Sequence, residues 1–324
     1  MAEVDMNYNK VLVTGGAGFI GSHLVDELVS LGNEVRILDN FSSEGTWNIS
    51  DILKRSQLSF VNGDIRSHDV VDDALRGVDA VFHLAAVTSV PFSVKYPKQT
   101  FEVNTRGTKN LLEACLRNDV ERFIYVSSCA VYGEPKYLPI DEGHPLNPIS
   151  PYAKSKLWAE KVCNEFQESN GLNITVLRPF NVYGPRQRSD QYAGVISSFI
   201  KNLIEGSPSV IHGDGRQTRD FIYVKDVVNA LILALEHDEA KGQSFNIATG
   251  VPTSINRLAS LLVELWGDGG LLPRYTVARK GDIVNSYADV KEASTRLGFK
   301  PLVSFREGLS FLLKHEKMVE VVRS

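Results

Sequence analysis

A glycine-rich turn between an apolar run and a helical pattern constrains this chain more than any other feature. Val11 to Val13 predict a buried parallel strand, and a helical pattern follows from Gly18. Gly15, Gly18 and Gly21 recur at every third position. Glycine at such a turn lets the chain bend sharply, lets a phosphate approach the backbone, and lets the helix pack on the strand. The first turn of the helix then offers unpaired N–H groups and a partial positive charge to a pyrophosphate.

An acidic residue follows the second predicted strand. This strand covers residues 34–38, comes after a helix predicted over 22–31, and leads directly into Asp39. In a βαβ unit of this kind, a carboxylate at that position accepts hydrogen bonds from both ribose hydroxyls of an adenosine. No arginine directly follows Asp39 to receive a 2′-phosphate, which favours NAD over NADP. We therefore predict NAD as the cofactor.

Charge and composition exclude several classes of partner. The net charge of −4 gives no indication of binding to nucleic acid or to an anionic membrane surface. No apolar run approaches the roughly 20 residues that a membrane helix needs. Three cysteines in 324 residues favour a reducing compartment, and the acidic N-terminal segment lacks a signal-peptide pattern. We therefore expect a cytoplasmic protein with no nucleic-acid or membrane partner.

Strands and helices alternate along the first 180 residues. Further strands are predicted over 58–61, 79–84, 121–127 and 174–177, with helical patterns between them. This alternation predicts an α/β fold with a Rossmann-type doubly wound parallel sheet. The pattern loosens after Asn181. We expect residues 1–180 plus about 221–247 to form an NAD-binding Rossmann domain, and about 181–220 plus 248–324 to form a smaller C-terminal α/β substrate-binding lobe.

Ser128, Tyr152 and Lys156 are the predicted catalytic residues. Tyr152 and Lys156 are four residues apart in a predicted helix and therefore share one face. A free tyrosine has a pKa of about 10, but a neighbouring ammonium and the positive charge of a bound nicotinamide would favour the phenolate. Tyr152 could then take a proton from a substrate hydroxyl as hydride leaves the same carbon for NAD⁺. Ser128 would share a hydrogen bond with that oxygen, and Lys156 would also bind the ribose hydroxyls of the cofactor.

Short motifs along the chain carry a family resemblance. They are Thr14-Gly-Gly-Ala-Gly-Phe-Ile-Gly21, Gly63-Asp-Ile65, His83-Leu-Ala-Ala86, Ser127-Ser128, Val131-Tyr-Gly133, Ser150-Pro-Tyr-Ala-Lys-Ser-Lys156 and Arg219-Asp-Phe-Ile-Tyr-Val224. With these motifs the chain resembles the extended short-chain dehydrogenase/reductases over essentially its full length. Within that family it is similar to the nucleotide-sugar 4-epimerases of the UDP-galactose 4-epimerase type.

The resemblance implies a set of cofactor contacts. Asp64 and Ile65 would hold the adenine, and Asn104 would support the network of the active site. The predicted NAD-binding residues are Gly15, Gly18, Phe19, Ile20, Gly21, Asp39, Asn40, Asp64, Ile65, Leu84, Ala85, Ala86, Asn104, Tyr152 and Lys156. No metal site is predicted.

The same resemblance implies contacts to a UDP-sugar. Asn181, Arg219 and Arg279 would bind the diphosphate, for which guanidinium groups are better suited than lysine, and Asp282 would bind the uridine ribose. Ser286 matches the family's gate near the C2 substituent of the sugar, where a serine leaves room for an N-acetyl group. The predicted substrate-binding residues are Ser89, Ser128, Asn181, Arg188, Arg219, Arg279, Asp282 and Ser286.

The two residues after Ser128 separate the reactions of this family. Relatives that dehydrate the sugar carry Asp-Glu there, and decarboxylases keep the Glu, because these reactions need a further acid and base. This chain has Cys129 and Ala130, and alanine cannot transfer a proton. We therefore predict reversible inversion at C4 through a 4-keto sugar, on UDP-Glc/UDP-Gal and also on UDP-GlcNAc/UDP-GalNAc, with Cys129 a small neighbour of the cofactor.

Other functions remain open. The run 182–188 also resembles UDP-glucuronate 4-epimerases, in which Arg188 would meet the C6 carboxylate, although Asn181 departs from that family's threonine. A related dehydratase or decarboxylase, a dehydrogenase that releases NADH, and a non-enzymatic NAD sensor are further alternatives. Sensors typically lose the tyrosine or the lysine, and this chain keeps both. The resemblance also suggests a homodimer through helices near 100–117 and 152–168.

Overall fold

The computed structural model describes residues 8–42, 47–49, 55–187, 194–267, 271–278 and 281–323. The strands of these segments are β1 (Lys10–Thr14), β2 (Glu34–Asp39), β3 (Leu58–Asn62), β4 (Ala80–His83), β5 (Arg122–Val126), β6 (Ile174–Pro179), β7 (Asn181–Tyr183), β8 (Val210–His212), β9 (Thr218–Tyr223), β10 (Ser244–Ile247), β11 (Pro252–Ser254) and β12 (Arg274–Thr276). The helices are α1 (Phe19–Ser30), α2 (His68–Leu75), α3 (Val90–Lys95), α4 (Pro97–Phe101), α5 (Thr108–Arg117), α6 (Pro151–Asn170), α7 (Val195–Ile204), α8 (Val224–Glu236), α9 (Ile255–Trp266), α10 (Lys291–Arg296) and α11 (Phe305–Arg323). A π-helical turn, Glu102–Gly107, joins α4 to α5.

Seven parallel strands form the central sheet, in the order β3-β2-β1-β4-β5-β6-β10. The chain starts in the middle at β1, winds outward to β3, and then returns to build the other half from β4 onward. Parallel pairing requires crossover connections, and α1, α2, α5, α6 and α8 lie within such connections. The predicted doubly wound α/β fold is confirmed.

Helices cover both faces of this sheet because its strands are apolar on both sides. Val11 and Val13 pack into the cluster that includes α1 and α8. Leu12 points the other way, as the two-residue period of a strand demands, into the cluster formed with α2, α5 and α6. All three side chains are fully buried. These two layers of core fix the carboxyl ends of the strands relative to α1 and α6.

Smaller elements lie beyond the carboxyl edge of the sheet. β7, β9 and β11 form a three-stranded sheet, and β8 pairs with β12. Their apolar side chains share a third core with α7, α9 and α11. The division into a Rossmann domain and a substrate-binding lobe, with the boundaries given above, stays a prediction. Of the helices described, none is both long enough and apolar enough to span a bilayer.

Candidate active site

A cavity of about 500 Å³ opens at the carboxyl ends of β1, β2, β4 and β5. Open α/β sheets bind their ligands at this edge, and the volume is in the range of cofactor pockets. Most of the predicted residues line it: Gly15, Gly18, Phe19, Ile20, Gly21, Asp39, Asn40, Asp64, Ile65, Leu84, Ala85, Ala86, Ser128, Tyr152 and Lys156. The cavity thus connects the predicted adenosine-binding residues to the predicted catalytic residues.

The glycine turn leaves no space for side chains. Gly15 has a φ of +70°, and a Cβ on it would lie 2.7 Å from the backbone nitrogen of Ala85. A Cβ on Gly21 would collide with the carbonyl oxygen of Gly15. Gly18 is the N-cap of α1 and has no side chain to accept from the first turn. The N–H groups of that turn therefore face the cavity as donors for an anionic group, which fits a pyrophosphate.

Asp39 lines the cavity at the end of β2. Its carboxylate accepts hydrogen bonds from the backbone N–H groups of Ala17, at 3.0 Å, and Phe41, at 2.8 Å. Burial nevertheless raises the pKa of Asp39 above its usual value. A carboxylate has about four lone-pair sites, so two backbone bonds leave acceptor capacity for ribose hydroxyls. The free acceptor sites of Asp39 therefore fit an adenosine ribose.

Asp64, just after β3, is a second carboxylate that lines the cavity. Asp64 accepts two side-chain hydrogen bonds from Arg66, at 2.8 and 2.7 Å, and one from Asn40 at 3.2 Å. The bonds from Arg66 hold the pKa of Asp64 below its usual value. Arg66 lines the same cavity and was not predicted from the sequence, because a single exposed arginine after a strand carries no distinctive pattern.

Asn104 lies behind the cavity wall rather than in it. Its amide accepts from the N–H of Val87 at 2.7 Å and donates to the carbonyl of Val87 at 2.9 Å. It also donates to the hydroxyl of Ser155 at 2.9 Å. Asn104 therefore joins the segment after β4, which lines the cavity, to α6, which carries two of the predicted catalytic residues.

The start of α6 sets the position of Tyr152. Ser150 is the N-cap and accepts a hydrogen bond from the N–H of Ala153 at 3.1 Å, and Pro151 occupies the first helical position, as this residue prefers. The N–H of Tyr152 donates to the hydroxyl of Ser93 on α3, at 3.1 Å. These contacts hold Tyr152 in the first turn, with Lys156 one turn further along the same face.

Tyr152 is half-buried where it lines the cavity, and its phenol hydrogen-bonds to the side chain of Ser128. Burial raises the pKa of Tyr152 to about 12. Desolvation of the phenolate outweighs the hydrogen bond from Ser128, and the lowering of this pKa by Lys156 together with a bound nicotinamide stays a prediction. Burial raises the pKa of the Cys129 thiol to about 12 as well, so this side chain is neutral at physiological pH.

Lys156 is held against the sheet. Its Nζ donates to the carbonyl oxygen of Val126 at 2.8 Å and lies 5.0 Å from the ring centroid of Tyr125. Burial lowers the pKa of Lys156 to about 8, while the carboxylate of Glu160 opposes that shift. The ammonium is therefore largely protonated at neutral pH but close to its titration range.

Four predicted substrate residues meet at β9. Arg219 donates to the carboxylate of Asp282 at 2.6 Å and to the carbonyl of Thr218 at 2.8 Å. The N–H of Ser286 donates to the same carbonyl at 3.2 Å. Asn181 lies on the neighbouring β7 and donates to the carbonyl of Asp220 at 3.0 Å. The structure thus brings together residues that are more than 60 positions apart in the sequence.

The remaining predicted substrate residues differ in their placement. Ser89 is the N-cap of α3, where its hydroxyl accepts from the N–H of Phe92 at 3.1 Å. Arg188 and Arg279 lie outside the described residues.

Two sets of buried polar residues were missed from the sequence. Asp220 accepts from the backbone N–H groups of Thr249, Gly250 and Ala288, and thereby braces the strand that carries Arg219. Ser127, Glu160 and Arg178 form a second set next to the predicted catalytic residues, and Ser127 also lines the cavity. Glu160 could have been noticed, since it repeats the four-residue spacing of Tyr152 and Lys156 on a face that is otherwise buried.

Comparison with known proteins gives consistent matches. Residues 11–248 match the model of the NAD dependent epimerase/dehydratase family. UDP-glucose 4-epimerase of Mycolicibacterium smegmatis is 38% identical over 308 residues, which cover 93% of this chain and 96% of that protein. The crystal structure of UDP-glucose 4-epimerase from Thermotoga maritima, solved with UDP-glucose, is 38% identical, with a TM-score of 0.90, and covers 96% of this chain and 99% of that one. UDP-N-acetylglucosamine 4-epimerase from Methanobrevibacter ruminantium, solved with UDP-N-acetylmuramic acid, is 39% identical, with a TM-score of 0.91 and the same coverage.

Proposed function

Since the chain belongs to the NAD-dependent epimerase/dehydratase family, we propose that it is an isomerase that inverts C4 of a UDP-hexose through a 4-keto sugar. The observation that carries the proposal is the cavity itself. It runs from Asp39 and the glycine turn to Ser128, Tyr152 and Lys156 without interruption. A dinucleotide bound along it and a sugar at its inner end would meet at the phenol of Tyr152.

Each catalytic residue has a distinct task in this reaction. When bound, NAD supplies the hydride acceptor for C4 and a positive charge beside the phenol. Tyr152 takes the proton of the C4 hydroxyl and later gives it back, which is general base and general acid catalysis by one group. Ser128 hydrogen-bonds to Tyr152 and holds the same sugar oxygen. Lys156, protonated at neutral pH, favours the phenolate and donates to the cofactor ribose.

The residues beside Ser128 support epimerisation over elimination of water or loss of a carboxyl group. Dehydration needs an additional acid and base near C5 and C6. Ala130 has no titratable group, and burial keeps the Cys129 thiol protonated. A thiol with a pKa of about 12 is a weak acid for this purpose. C4 inversion requires only the groups that are present.

The substrate class rests on Ser286 and on the cluster around Arg219. We propose that UDP-GlcNAc and UDP-GalNAc are accepted as well as UDP-Glc and UDP-Gal, since Ser286 is small at the position of the C2 gate. Arg219 and Asp282 would bind the diphosphate and the uridine ribose, together with Asn181. UDP-glucuronate is the second candidate, because the run 182–188 ends in Arg188, a suitable partner for a C6 carboxylate.

The proposal is tested by incubating the purified protein with UDP-Glc, UDP-GlcNAc and UDP-GlcA and separating the products. We expect C4 epimers of the first two, with almost no net absorbance at the NADH wavelength. Accumulating NADH would instead identify a dehydrogenase, and binding of NAD without turnover would identify a sensor. A higher kcat/KM for UDP-GlcA than for UDP-GlcNAc would favour the uronate alternative.

We further propose that the protein is cytoplasmic and acts as a homodimer. Free thiols at Cys115, Cys129 and Cys163 are consistent with a reducing compartment. The helices near 100–117 and 152–168 are the proposed contact between the two copies. Light scattering coupled to size-exclusion chromatography tests the dimer, since a mass of about 36 kDa would contradict it.

A further inference from the structure

Glu160 is a buried acidic residue on the catalytic face of α6. It follows Lys156 by four residues and Tyr152 by eight, so all three share one side of the helix. Only 4% of its side chain is exposed. Burying a carboxylate is costly unless it is paired and hydrogen-bonded, so its partners explain what keeps it there.

The partners of Glu160 come from two neighbouring strands. Ser127, directly after β5, donates its hydroxyl to one carboxylate oxygen at 2.5 Å. Arg178 on β6 donates to both oxygens, at 3.0 and 2.7 Å. The remaining guanidinium nitrogen donates to the hydroxyl of Tyr132 at 3.0 Å, and that hydroxyl donates to Asn246 on β10 at 2.7 Å. The carboxylate therefore connects α6 to the ends of β5, β6 and β10.

This connection fixes the catalytic residues relative to one another. Ser128, which hydrogen-bonds to Tyr152, comes directly after Ser127. Building on the proposed function, we infer that Glu160 is a positioning residue: through Ser127 and Arg178 it sets the separation between the strand end that carries Ser128 and the helix face that carries Tyr152 and Lys156. The reaction depends on this separation because misplacement by about 1 Å of a reacting group is enough to lower a rate severely.

Glu160 also sets the charge around Lys156. The other titratable groups that face Lys156 are Tyr152 and Cys163 on α6, Tyr125 on β5 and His83 on β4. Burial raises the pKa values of Tyr152, Cys163 and Tyr125 and lowers that of His83, so these four side chains are neutral at pH 7. The carboxylate of Glu160, although paired with Arg178, is the acidic group that favours the protonated form of Lys156.

Ser127→Ala tests the positioning role without disturbing the buried ion pair. The matched control is Thr175→Val on β6. It removes another buried hydroxyl, which donates to the carbonyl oxygen of Ala240 at 2.8 Å. We expect Ser127→Ala to lower kcat about tenfold, with the KM of the UDP-sugar and the Kd of NAD⁺ within twofold of the wild type. Thr175→Val should keep the wild-type kcat while losing a similar amount of thermal stability. Equal kcat values for the two variants would overturn the inference.

Glu160→Gln tests the charge. It removes the negative charge beside Lys156, so the loss of kcat at alkaline pH should begin at lower pH than in the wild type. Ser127→Ala should leave the pH at which this loss begins unchanged. If a folded Glu160→Gln protein loses kcat at the same alkaline pH as the wild type, the charge role is contradicted. If this variant does not fold, the comparison of Ser127→Ala with Thr175→Val decides the inference.

A readout independent of turnover separates this inference from the proposed function. The N–H of residue 127 donates to the carbonyl oxygen of Leu177 on β6 at 2.7 Å, so its protection from hydrogen exchange reports on the strand end. This protection should be lower in Ser127→Ala than in the wild type and in Thr175→Val. If the wild type converts no UDP-sugar but this difference is present, the proposed function fails and the positioning of the strand end stands. If turnover is normal and the protection at residue 127 is unchanged, the positioning role fails alone.

Discussion

Lys156 donates a hydrogen bond from its ammonium to the carbonyl oxygen of Val126, 2.8 Å away at the end of β5. The bond connects the face of α6 that carries Tyr152 to the strand whose end leads into Ser127 and Ser128. The same burial that makes the bond possible disfavours the charge that Lys156 carries. The proposed function needs the protonated form of Lys156, whereas burial destabilises that form.

Replacing Lys156 by Met should stabilise the protein while inactivating it. The folded state lowers the pKa of Lys156 to about 8 from 10.5, so below pH 8 the wild type carries the full cost of a buried charge. We expect the variant to be more stable by about 1–3 kcal/mol at pH 7, after the lost bond to Val126 is counted, and kcat to fall roughly 1000-fold.

The pH dependence distinguishes this effect from simple improved packing. Between pH 8 and 10.5 the unfolded wild type binds more protons at Lys156 than the folded one does, so wild-type stability rises with pH relative to the variant. Denaturant unfolding of both proteins at pH 7, 9 and 10.5 measures the difference. A constant difference across that range would contradict the buried charge.

Gly21→Ala should weaken NAD binding and destabilise the turn. The added Cβ would collide with the carbonyl oxygen of Gly15, so the helix must move away from the strand, at a cost of about 1–3 kcal/mol. Gly143→Ala is the control, because it is exposed and a Cβ there would lie 3.4 Å from the nearest atom. Calorimetric titration with NAD⁺ should show a loss of affinity only for Gly21→Ala. An unchanged Kd for this variant would contradict a role of the glycine turn in NAD binding.

Arg219→Lys should raise the KM for the UDP-sugar about tenfold, with kcat within twofold. A lysine cannot keep the two directional bonds to Thr218 and Asp282 and still present a planar fork to a diphosphate. Arg306→Lys is the matched control, since Arg306 also pairs with a carboxylate, Glu264, at 2.8 Å but on the exposed surface. Steady-state kinetics of both variants check this, and parallel changes in KM would argue against a substrate role for Arg219.

Ser286→Tyr should abolish turnover of UDP-GlcNAc and UDP-GalNAc while UDP-Glc and UDP-Gal are still converted. Ser286 is only 7% exposed and its backbone N–H is bonded to Thr218, so a large ring there must occupy space beside the cluster around Arg219. Ser286→Ala should convert all four substrates. Equal loss of both pairs in the tyrosine variant would refute the gate assignment.

Much of the fold and the cavity follows from local patterns. The strands of the central sheet are short apolar runs, and the turn between β1 and α1 needs glycine at particular positions, so both are visible in the sequence. The start of α6 is equally visible, because Ser150 and Pro151 are a favourable cap and first residue. Spacing alone then places Tyr152 and Lys156 on one face.

What could not be predicted depends on contacts between distant segments. β8 and β12 have three residues each and gain their stability from pairing with one another. The side chains of Glu160 and Arg178 meet across two elements, and no local pattern links them. The pKa of Tyr152 in the chain alone depends on the fold in the same way, because burial of the phenol raises it and burial follows from tertiary contacts.

We propose above all that Tyr152, with Ser128 and Lys156, inverts C4 of a UDP-sugar. The C4 hydride would leave for NAD and return to the other face of the same sugar within one cavity. The most direct measurement is conversion of UDP-glucose deuterated at C4, with the product analysed by mass spectrometry. The account predicts UDP-galactose that retains the C4 deuterium, no net NADH, and loss of this activity in Tyr152→Phe. A C4 epimer that has exchanged its deuterium with solvent, or the absence of any epimer, would contradict it.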